Sequence, residues 1–308
     1  MADLSPAGRG LGDGATADGR DRGQIILVGA FALAVVFVAL ALVMNAAIYT
    51  ENLATRSESA GAADAQAFER ATTNAAEAAF RYAHEVNASD HTGLKKNVTQ
   101  AMAAYHNVTR TQQATSAQLT DVAVDSTTNG TNITDTSVPF ESPAGGTDWT
   151  VAKDVNESYR FRIDVETWNG GSSDELWIVA GDAGDWYLNV SEASGEWEVG
   201  VNESGTYTRC LTTTASDVTI DLVAETVNGN DCPALNRSAV GDPYDIAVRN
   251  GSVADGGYTL VSDGEAGSDL TTSQYDEILY AMEVNVTYWT PELRYRTTRQ
   301  ITWGEASA

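Results

Sequence analysis

The pattern of apolar and polar positions begins with a long uncharged run near the N-terminus. Residues Ile25–Ile48 contain no charged side chain, and as a helix they would be about 36 Å long. Because the hydrocarbon core of a bilayer is about 30 Å thick, the run predicts a transmembrane helix over residues 24–48. A secretory signal peptide has a shorter apolar region followed by a small-residue cleavage site. The pattern therefore does not favour a leader that is removed whole.

After this run the apolar spacing remains helical. Apolar or small residues recur about every 3.7 positions, close to the period of an α-helix. We predict a helical stem over residues 49–110, with a break near Gly61 and a second helix from Leu94 to His106. Glu69 falls on the opposite face, which we expect to be exposed. The apolar seam could pack on this protein's own sheet or on another subunit, and it consists of Ala60, Ala63, Ala67, Ala71, Ala75, Ala78, Tyr82 and Val86.

From residue 111 onwards the sequence changes to alternation, β-branched residues and turn residues. The stretch from Tyr159 to Val165 alternates apolar and charged side chains, as is typical of a half-buried antiparallel strand. Ser194-Gly195 lies between two further alternating stretches and predicts a hairpin. The polar residues from Ser126 to Asp148 predict a loop. Residues 111–308 should thus form a mainly antiparallel β head, a sandwich or open sheet, and the fold class is α+β.

Asn-x-Ser/Thr triplets are concentrated after the apolar run. Of the 16 asparagines beyond Tyr49, 11 begin such a triplet, and none precedes the run. These triplets accept N-linked glycans in exported domains. We therefore expect the N-terminus inside the cell and the head outside. The glycosylation candidates are Asn87, Asn97, Asn107, Asn129, Asn132, Asn156, Asn189, Asn202, Asn236, Asn250 and Asn285.

The charge balance narrows the class of protein. The chain has 43 acidic and 18 basic residues and a formal net charge of -25, and its lysines are Lys95, Lys96 and Lys153. An acid excess with arginine favoured over lysine suits molar salt, where a short Debye length reduces self-repulsion. This composition indicates a halophilic source. The same balance argues against nucleic-acid binding, because the phosphate backbone requires a basic surface.

The two cysteines, Cys210 and Cys232, both lie in the predicted exterior region. In an oxidising compartment such a pair is most simply a disulfide. A disulfide that closes a loop of this length would stabilise the fold by about 3 kcal/mol. A metal site with two cysteine ligands is the alternative, but no histidine lies nearby in the sequence to complete it.

The junction between the polar N-terminus and the apolar run has a specific form. Arg22-Gly23-Gln24 is followed at once by apolar residues, and this segment resembles the class III leader of archaeal type IV pilins and archaellins. The resemblance implies that a membrane-bound peptidase cuts between Gly23 and Gln24 and removes a polar leader, residues 1–23. It also implies that the retained helix packs into the core of a filament.

Few residues are suited to catalysis or to metal binding. His84, His91 and His106 do not have the spacing of a metal-binding motif, and we expect them to be exposed on helices. The acidic loops around Asp263 and Asn228 do not match the ligand pattern of a calcium-binding loop. We expect no catalytic residue, no cofactor and no metal site.

All seven tryptophans lie in the predicted head. We expect most of them to fill the core between sheets, although an aromatic-rich sheet can also line a binding face. The sequence predicts a non-catalytic, single-pass, N-glycosylated cell-surface structural protein. Its expected partners are the lipid bilayer and, for a pilin-like subunit, further copies or other envelope subunits. The alternative is an anchored extracellular module that binds a solute or a partner through its aromatic β head.

Overall fold

A computed structural model of the protein describes residues 17–86, 90–181 and 185–304, with side chains described except at 17–28, 32, 46–60 and 136–138. The described residues divide into two compact units, with the boundary between residues 63 and 64. Residues 1–16 of the predicted leader and the triplet at Asn87 lie outside the described residues, as do the side chains at the Gly23–Gln24 junction.

The first unit contains the N-terminal part of a long helix, α1 (Ala17–Val86). The helix continues through Gly61, where the sequence predicted a break, because a single glycine costs a helix only about 1 kcal/mol. The described apolar side chains between Phe31 and Met44 are exposed. Among the residues described, no helix is both long enough and apolar enough to cross a membrane.

The second unit contains the rest of α1, a second helix α2 (His91–Ala114) and two antiparallel sheets. Helix α2 ends at Ala114, four residues after the predicted end of the stem at residue 110. In chain order the strands are β1 (Leu119–Pro139), β2 (Trp149–Val155), β3 (Ser158–Trp168), β4 (Leu176–Ala180), β5 (Trp186–Ala193), β6 (Glu196–Glu203), β7 (Thr206–Thr213), β8 (Val218–Asp221), β9 (Thr226–Val227), β10 (Asn230–Asp231), β11 (Tyr244–Arg249), β12 (Ala254–Ser262), β13 (Glu265–Ala266), β14 (Tyr275–Trp289) and β15 (Arg294–Thr302).

The strands form two sheets. Sheet A has the order β10-β9-β8-β3-β12-β1-β14-β15, and sheet B has the order β13-β2-β11-β4-β5-β6-β7. Every pair of neighbouring strands in the described residues is antiparallel. The α+β class with a mainly antiparallel sheet, predicted from the sequence, is confirmed.

The inter-sheet core lies between the two sheets. Alternation along β3 buries Phe161, Ile163 and Val165 in this core, as the sequence predicted. Leu176 on β4 and Trp186 on β5 enter the same core from sheet B. Since large side chains of both sheets share one cluster, this part of the head is a β-sandwich.

The helix–sheet core lies between the two helices and strands β1, β14 and β15 of sheet A. Helix α1 contributes Phe68, Ala76 and Ala83, and α2 contributes Leu94 and Met102. The helices therefore pack on this protein's own sheet, which was one of the two arrangements considered for the apolar seam.

The buried face of α1 differs from the predicted seam. Ala67 and Ala71 are exposed, whereas Glu69, expected on the outer face, is buried. Alanine occurs on every side of this segment, so its spacing carries little information about which side is covered. The large side chains Phe68 and Phe80 mark the side that packs on the sheet, because they bury the most apolar area.

Strand β1 replaces a predicted loop. The polar residues after Ser126 were expected to be irregular, but the strand continues to Pro139. It pairs with β14 on one side and with β12 on the other, so its backbone is satisfied in spite of its polar side chains. Pairing on both sides thus overrides a weak strand propensity. The irregular connection is limited to residues 140–148.

The disulfide predicted from the sequence is present. Cys210 on β7, at one edge of sheet B, is bonded to Cys232, which follows β10 at an edge of sheet A. Their Cα atoms lie 5.3 Å apart. The bond joins the two sheets at their margin, and it uses both cysteines of the chain.

Candidate functional site

The sequence predicted that His84, His91 and His106 are exposed on helices, and this prediction is wrong. Each is at least partly buried and contacts the backbone of sheet A. The sequence could not indicate these contacts, because the partners are main-chain groups of distant strands. The partners are the N–H of Leu279 for His84, the carbonyl oxygen of Gly130 for His91 and the N–H of Val122 for His106.

His84 is held in one tautomer inside the helix–sheet core. Its Nδ1–H donates to the carbonyl oxygen of Phe80 at 2.8 Å, which leaves Nε2 to accept from the N–H of Leu279 at 3.0 Å. Burial lowers the pKa of His84, because desolvation disfavours the imidazolium form. The ring also packs edge-on against Trp303, with centroids 4.6 Å apart. His84 is therefore a neutral packing residue near pH 7.

Glu69 is an acidic group buried in the same region. The hydroxyl of Tyr295 donates to one carboxylate oxygen, and the guanidinium of Arg299 pairs with the other. The hydrogen bond from Tyr295 lowers the pKa of Glu69, and Arg299 acts in the same direction against the effect of burial. Since Tyr295 and Arg299 belong to edge strand β15, this cluster ties α1 to the margin of sheet A.

The acidic loops considered for calcium instead hold local turns together. The Asp263 carboxylate accepts hydrogen bonds from the backbone N–H groups of Asn156 and Glu157, both at 2.9 Å. The side-chain oxygen of Asn228 accepts from the N–H of Thr219 at 2.7 Å. Within the described parts of the chain, no group of three or more His, Cys, Asp or Glu side chains is arranged to hold a metal ion.

The tryptophans occupy different environments. Trp177 is 38% exposed and Trp289 is 42% exposed, so these two do not fit the predicted role in the core. The others pack in or against one of the two cores. Of these, Trp149, Trp186 and Trp197 are buried in the inter-sheet core, Trp168 packs against it, and Trp303 packs against the helix–sheet core.

Trp177 lines a pocket on the outer face of sheet B, which we call the outer-face pocket. Its volume is about 510 Å³, within the range of about 300–1,000 Å³ that is typical of ligand sites. Its apolar wall is formed by Trp177, Val179 and Tyr187. Its polar rim includes Asp148, Asp174, Glu175, Arg249 and Asn250.

Strand alternation positions the apolar wall. On β4, Leu176 and Ile178 face the inter-sheet core. Because successive side chains of a strand point to opposite faces, Trp177 and Val179 point outwards. Tyr187 lies opposite Val179 on β5. The Tyr187 ring stacks on Trp177, with centroids 5.0 Å apart and planes 27° apart. This diagonal pair across two strands gives the pocket a flat aromatic surface.

Hydrogen bonds fix the polar rim. The indole Nε1–H of Trp177 donates to the Glu175 carboxylate at 2.9 Å, which orients the ring. The backbone N–H of Asn250 donates to Asp148 at 2.8 Å, and its side-chain Nδ2 donates to the carbonyl oxygen of Glu175 at 2.9 Å. Arg249 lies opposite Trp177 on β11 and places a positive charge on the rim.

A flat apolar surface beside fixed donors and acceptors suits a ligand that has both a C–H face and hydroxyl groups. The carboxylates of the rim outnumber its guanidinium, so an anionic ligand is disfavoured. Sequence reasoning did not single out this site. The alternation in Leu176–Ala180 could have identified Trp177 as pointing outwards, but Asp148 and Asn250 approach it only through sheet pairing.

A second pocket, of about 500 Å³, lies around Arg237. The Arg237 guanidinium donates to the hydroxyls of Ser158 at 3.0 Å and Tyr244 at 3.2 Å, and it lies 5.8 Å from the centroid of the Phe161 ring. Both tyrosines of this pocket, Tyr244 and Tyr280, are only 7% exposed. It therefore presents polar groups rather than an aromatic surface.

The glycosylation candidates differ in exposure. Asn189 is 6% exposed in the folded head, so a glycan there would have no room. Asn97, Asn132, Asn202 and Asn285 are half-buried. Among the described residues, the glycosylation candidates that are exposed are Asn107, Asn129, Asn156, Asn236 and Asn250.

Part of the chain is similar to a known protein family. Residues 19–143 match a family of unknown function (DUF7261). This segment includes most of α1, all of α2 and all of β1. No curated protein and no solved structure matches the chain.

Proposed function

We propose that the protein is a non-catalytic, single-pass structural protein of the cell surface, with its N-terminus inside and a glycosylated head outside. The observation that carries this proposal is the order of features along the chain. The uncharged run Ile25–Ile48 precedes all 11 glycosylation triplets and both cysteines. The disulfide between Cys210 and Cys232 supports export of the head, because disulfides persist in oxidising compartments.

Labelling of intact cells tests the anchor and its orientation. Lys95 and Lys96 are exposed on α2, so a membrane-impermeant amine reagent should modify them in intact cells. The protein should then be recovered with the membrane fraction. Labelling that requires lysed cells, or recovery of the full chain in the soluble cytosol, would contradict the proposal.

In the pilin-like form of the proposal, a peptidase cuts after Gly23 and the apolar helix packs against other copies or other envelope subunits. The residue order Arg22-Gly23-Gln24 supports this form. N-terminal sequencing of protein from the native membrane tests it. A mature chain that begins at Gln24 is expected, whereas one that begins at Met1 would remove the pilin-like form and leave the anchor.

We also propose that the protein works in molar salt, as its net charge of -25 and its three lysines suggest. Repulsion among the acidic groups should loosen the fold when salt is lowered to tens of millimolar. Thermal unfolding followed over that range checks this. An unchanged melting temperature would contradict it.

A second candidate function is capture of an external ligand by the outer-face pocket. The exposed stack of Trp177 and Tyr187 favours it, since an exposed aromatic surface in a pocket distinguishes a binding module from a structural head. It requires that the pocket be open in the mature protein. Titration of the purified native protein with neutral saccharides, followed by tryptophan fluorescence, tests for an open pocket.

A further inference from the structure

We propose that the outer-face pocket holds the first sugar of a glycan attached to Asn250 of the same chain. This inference rests on the proposed function, because it requires an exported and N-glycosylated head. It assigns an occupant to the pocket and a structural role to one of the 11 triplets. It also opposes the second candidate function, since a pocket filled by the protein's own sugar cannot capture another.

Asn250 combines two properties. It begins the triplet Asn250-Gly251-Ser252, and its side chain lines the outer-face pocket. Both Asn250 and Ser252 are exposed. The backbone of Asn250 has a φ of 56°, a left-handed conformation that asparagine tolerates better than most residues. A sugar joined to this side chain therefore starts at the wall of the pocket that also contains Trp177.

The hydrogen bonding of the Asn250 amide is compatible with glycosylation. Its Nδ2 carries two hydrogens, and one is donated to the carbonyl oxygen of Glu175 at 2.9 Å. In the modification, Nδ2 bonds to the anomeric carbon of a saccharide carried on a lipid phosphate. The phosphate leaves with the bonding electrons, and Nδ2 releases its other hydrogen as a proton. The hydrogen bond to Glu175 can persist and would limit rotation of the glycosylated amide.

The pocket has the groups that a neutral sugar requires. The stacked rings of Trp177 and Tyr187 offer an apolar surface to the C–H face of a sugar ring. Around this surface, Arg249 offers donors and Asp174 offers acceptors for hydroxyl groups. The excess of carboxylates on the rim favours a neutral first sugar over an acidic one.

Asn236 provides the internal comparison. It is also exposed, its Nδ2 donates to the Glu225 carboxylate at 2.7 Å, and it lines the second pocket. The tyrosine rings there are buried, so a sugar on Asn236 would meet no exposed aromatic surface. We expect a glycan at Asn236 to extend into solvent.

Mass spectrometry of glycopeptides from the native full-length protein gives the first test. A glycan on the peptide that contains Asn250 is expected. If other triplets carry glycans and Asn250 does not, the inference is overturned while the proposed glycoprotein stands. If no triplet is occupied, the inference and the glycosylated form of the proposed function both fail.

The second test measures coupling between the glycan and the aromatic wall. Ser252→Ala removes the Asn250 triplet but keeps the asparagine and its hydrogen bonds, and Ser238→Ala does the same for Asn236. Trp177→Ala should lower the melting temperature of the native glycoprotein by about 2–4 °C more than it does in the Ser252→Ala protein, the shift expected for one modest contact in a unit of this size. The Ser238→Ala background should retain the larger effect.

Equal effects of Trp177→Ala in the glycosylated and Ser252→Ala proteins would overturn the docking, even with Asn250 occupied. Trp289→Ala is the matched control, since that tryptophan is similarly exposed and lines a different pocket. Its effect should be the same in all backgrounds. Binding of a free saccharide in the outer-face pocket of the protein glycosylated at Asn250 would also overturn the inference, because it would show the pocket to be open.

Discussion

The inter-sheet core and the helix–sheet core stabilise the same unit by different means. The inter-sheet core is built from large side chains such as Trp186 and Phe161, and a disulfide joins its two sheets at one margin. The helix–sheet core brings α1 close to sheet A through small residues such as Ala76 and Ala83. It also includes ionisable groups, among them the carboxylate of the buried Glu69.

This difference determines which changes destabilise each core. Large apolar side chains contribute stability through buried area, which depends little on pH. Alanines contribute less area but allow close approach of the helix, so the fit is sensitive to added volume. Buried ionisable groups link stability to proton binding. We therefore expect the inter-sheet core to be sensitive to truncation and the helix–sheet core to be sensitive to crowding and to acid.

Truncation of the inter-sheet core should have the largest effect. Trp186 is fully buried, and its indole N–H donates to the carbonyl oxygen of Ala234 at 3.3 Å. Trp186→Ala should lower the free energy of unfolding by about 3–5 kcal/mol, since it leaves a cavity and an unpaired carbonyl group. Denaturant unfolding of the purified protein measures this loss. Trp289→Ala, at an exposed tryptophan, is the control, and an equal loss there would contradict the assignment of the core.

Removal of the disulfide should cause the next largest loss in the free energy of unfolding. Cys210 and Cys232 are separated by 22 positions, and the double change to serine should cost about 3 kcal/mol in the chain-entropy model. This loss acts on unfolding of the whole unit, but the strand edges that the bond joins should also open more readily in the folded protein. Hydrogen exchange should therefore accelerate more in β7 and β9 than in α1. Equal acceleration in both regions would show that the two cores do not differ in this way.

Crowding of the helix–sheet core should have a smaller effect. Ala83 is completely buried where α1 faces the sheet. Ala83→Leu should lower the free energy of unfolding by about 1–3 kcal/mol, because the extra carbons have no room. Ala104→Leu on the exposed side of α2 is the matched control. If both changes are equally mild in denaturant unfolding, the close approach of α1 is not a constraint.

The same contrast explains how much of the fold the sequence could predict. In the inter-sheet core the period of two is strong, so the strand from Tyr159 to Val165 was predicted correctly and is observed as β3. The predicted hairpin turn at Ser194-Gly195 is also present, and both residues have a positive φ. In these strands the large side chains themselves mark the buried face.

In the helix–sheet region the sequence predicts the two helices, which are observed as α1 and α2, but not which side of α1 is buried. Alanine fits a buried or an exposed position, so the alanine-rich sequence of α1 did not identify its covered face. The polar part of β1 was mistaken for a loop, because its order comes from pairing with β12 and β14 and not from its own side chains. The outer-face pocket was missed for a related reason. Trp177, Tyr187 and Arg249 come from three strands whose pairing no local pattern indicates.

The smallest expected effect is the response to mild acid, and it belongs to the helix–sheet core. The pKa of His84 is lowered from its ordinary value of 6.5 by burial. Between pH 6.5 and the lowered pKa, the unfolded chain binds a proton at this histidine and the folded chain does not. The free energy of unfolding therefore falls as the pH falls through this range. Glu69, whose pKa is also lowered, adds a further loss at more acidic pH, below its ordinary value of 4.5.

Melting temperatures between pH 7.5 and pH 5.5 separate the histidine from the carboxylate. The native protein should lose stability over this range, and His84→Gln should have a lower starting stability but a flatter pH dependence. His91→Gln is the control, because it also removes a partly buried histidine that contacts the backbone of sheet A, at Gly130, and leaves His84 unchanged. Identical pH dependence in the native protein and in His84→Gln would mean that His84 does not make the helix–sheet core sensitive to acid.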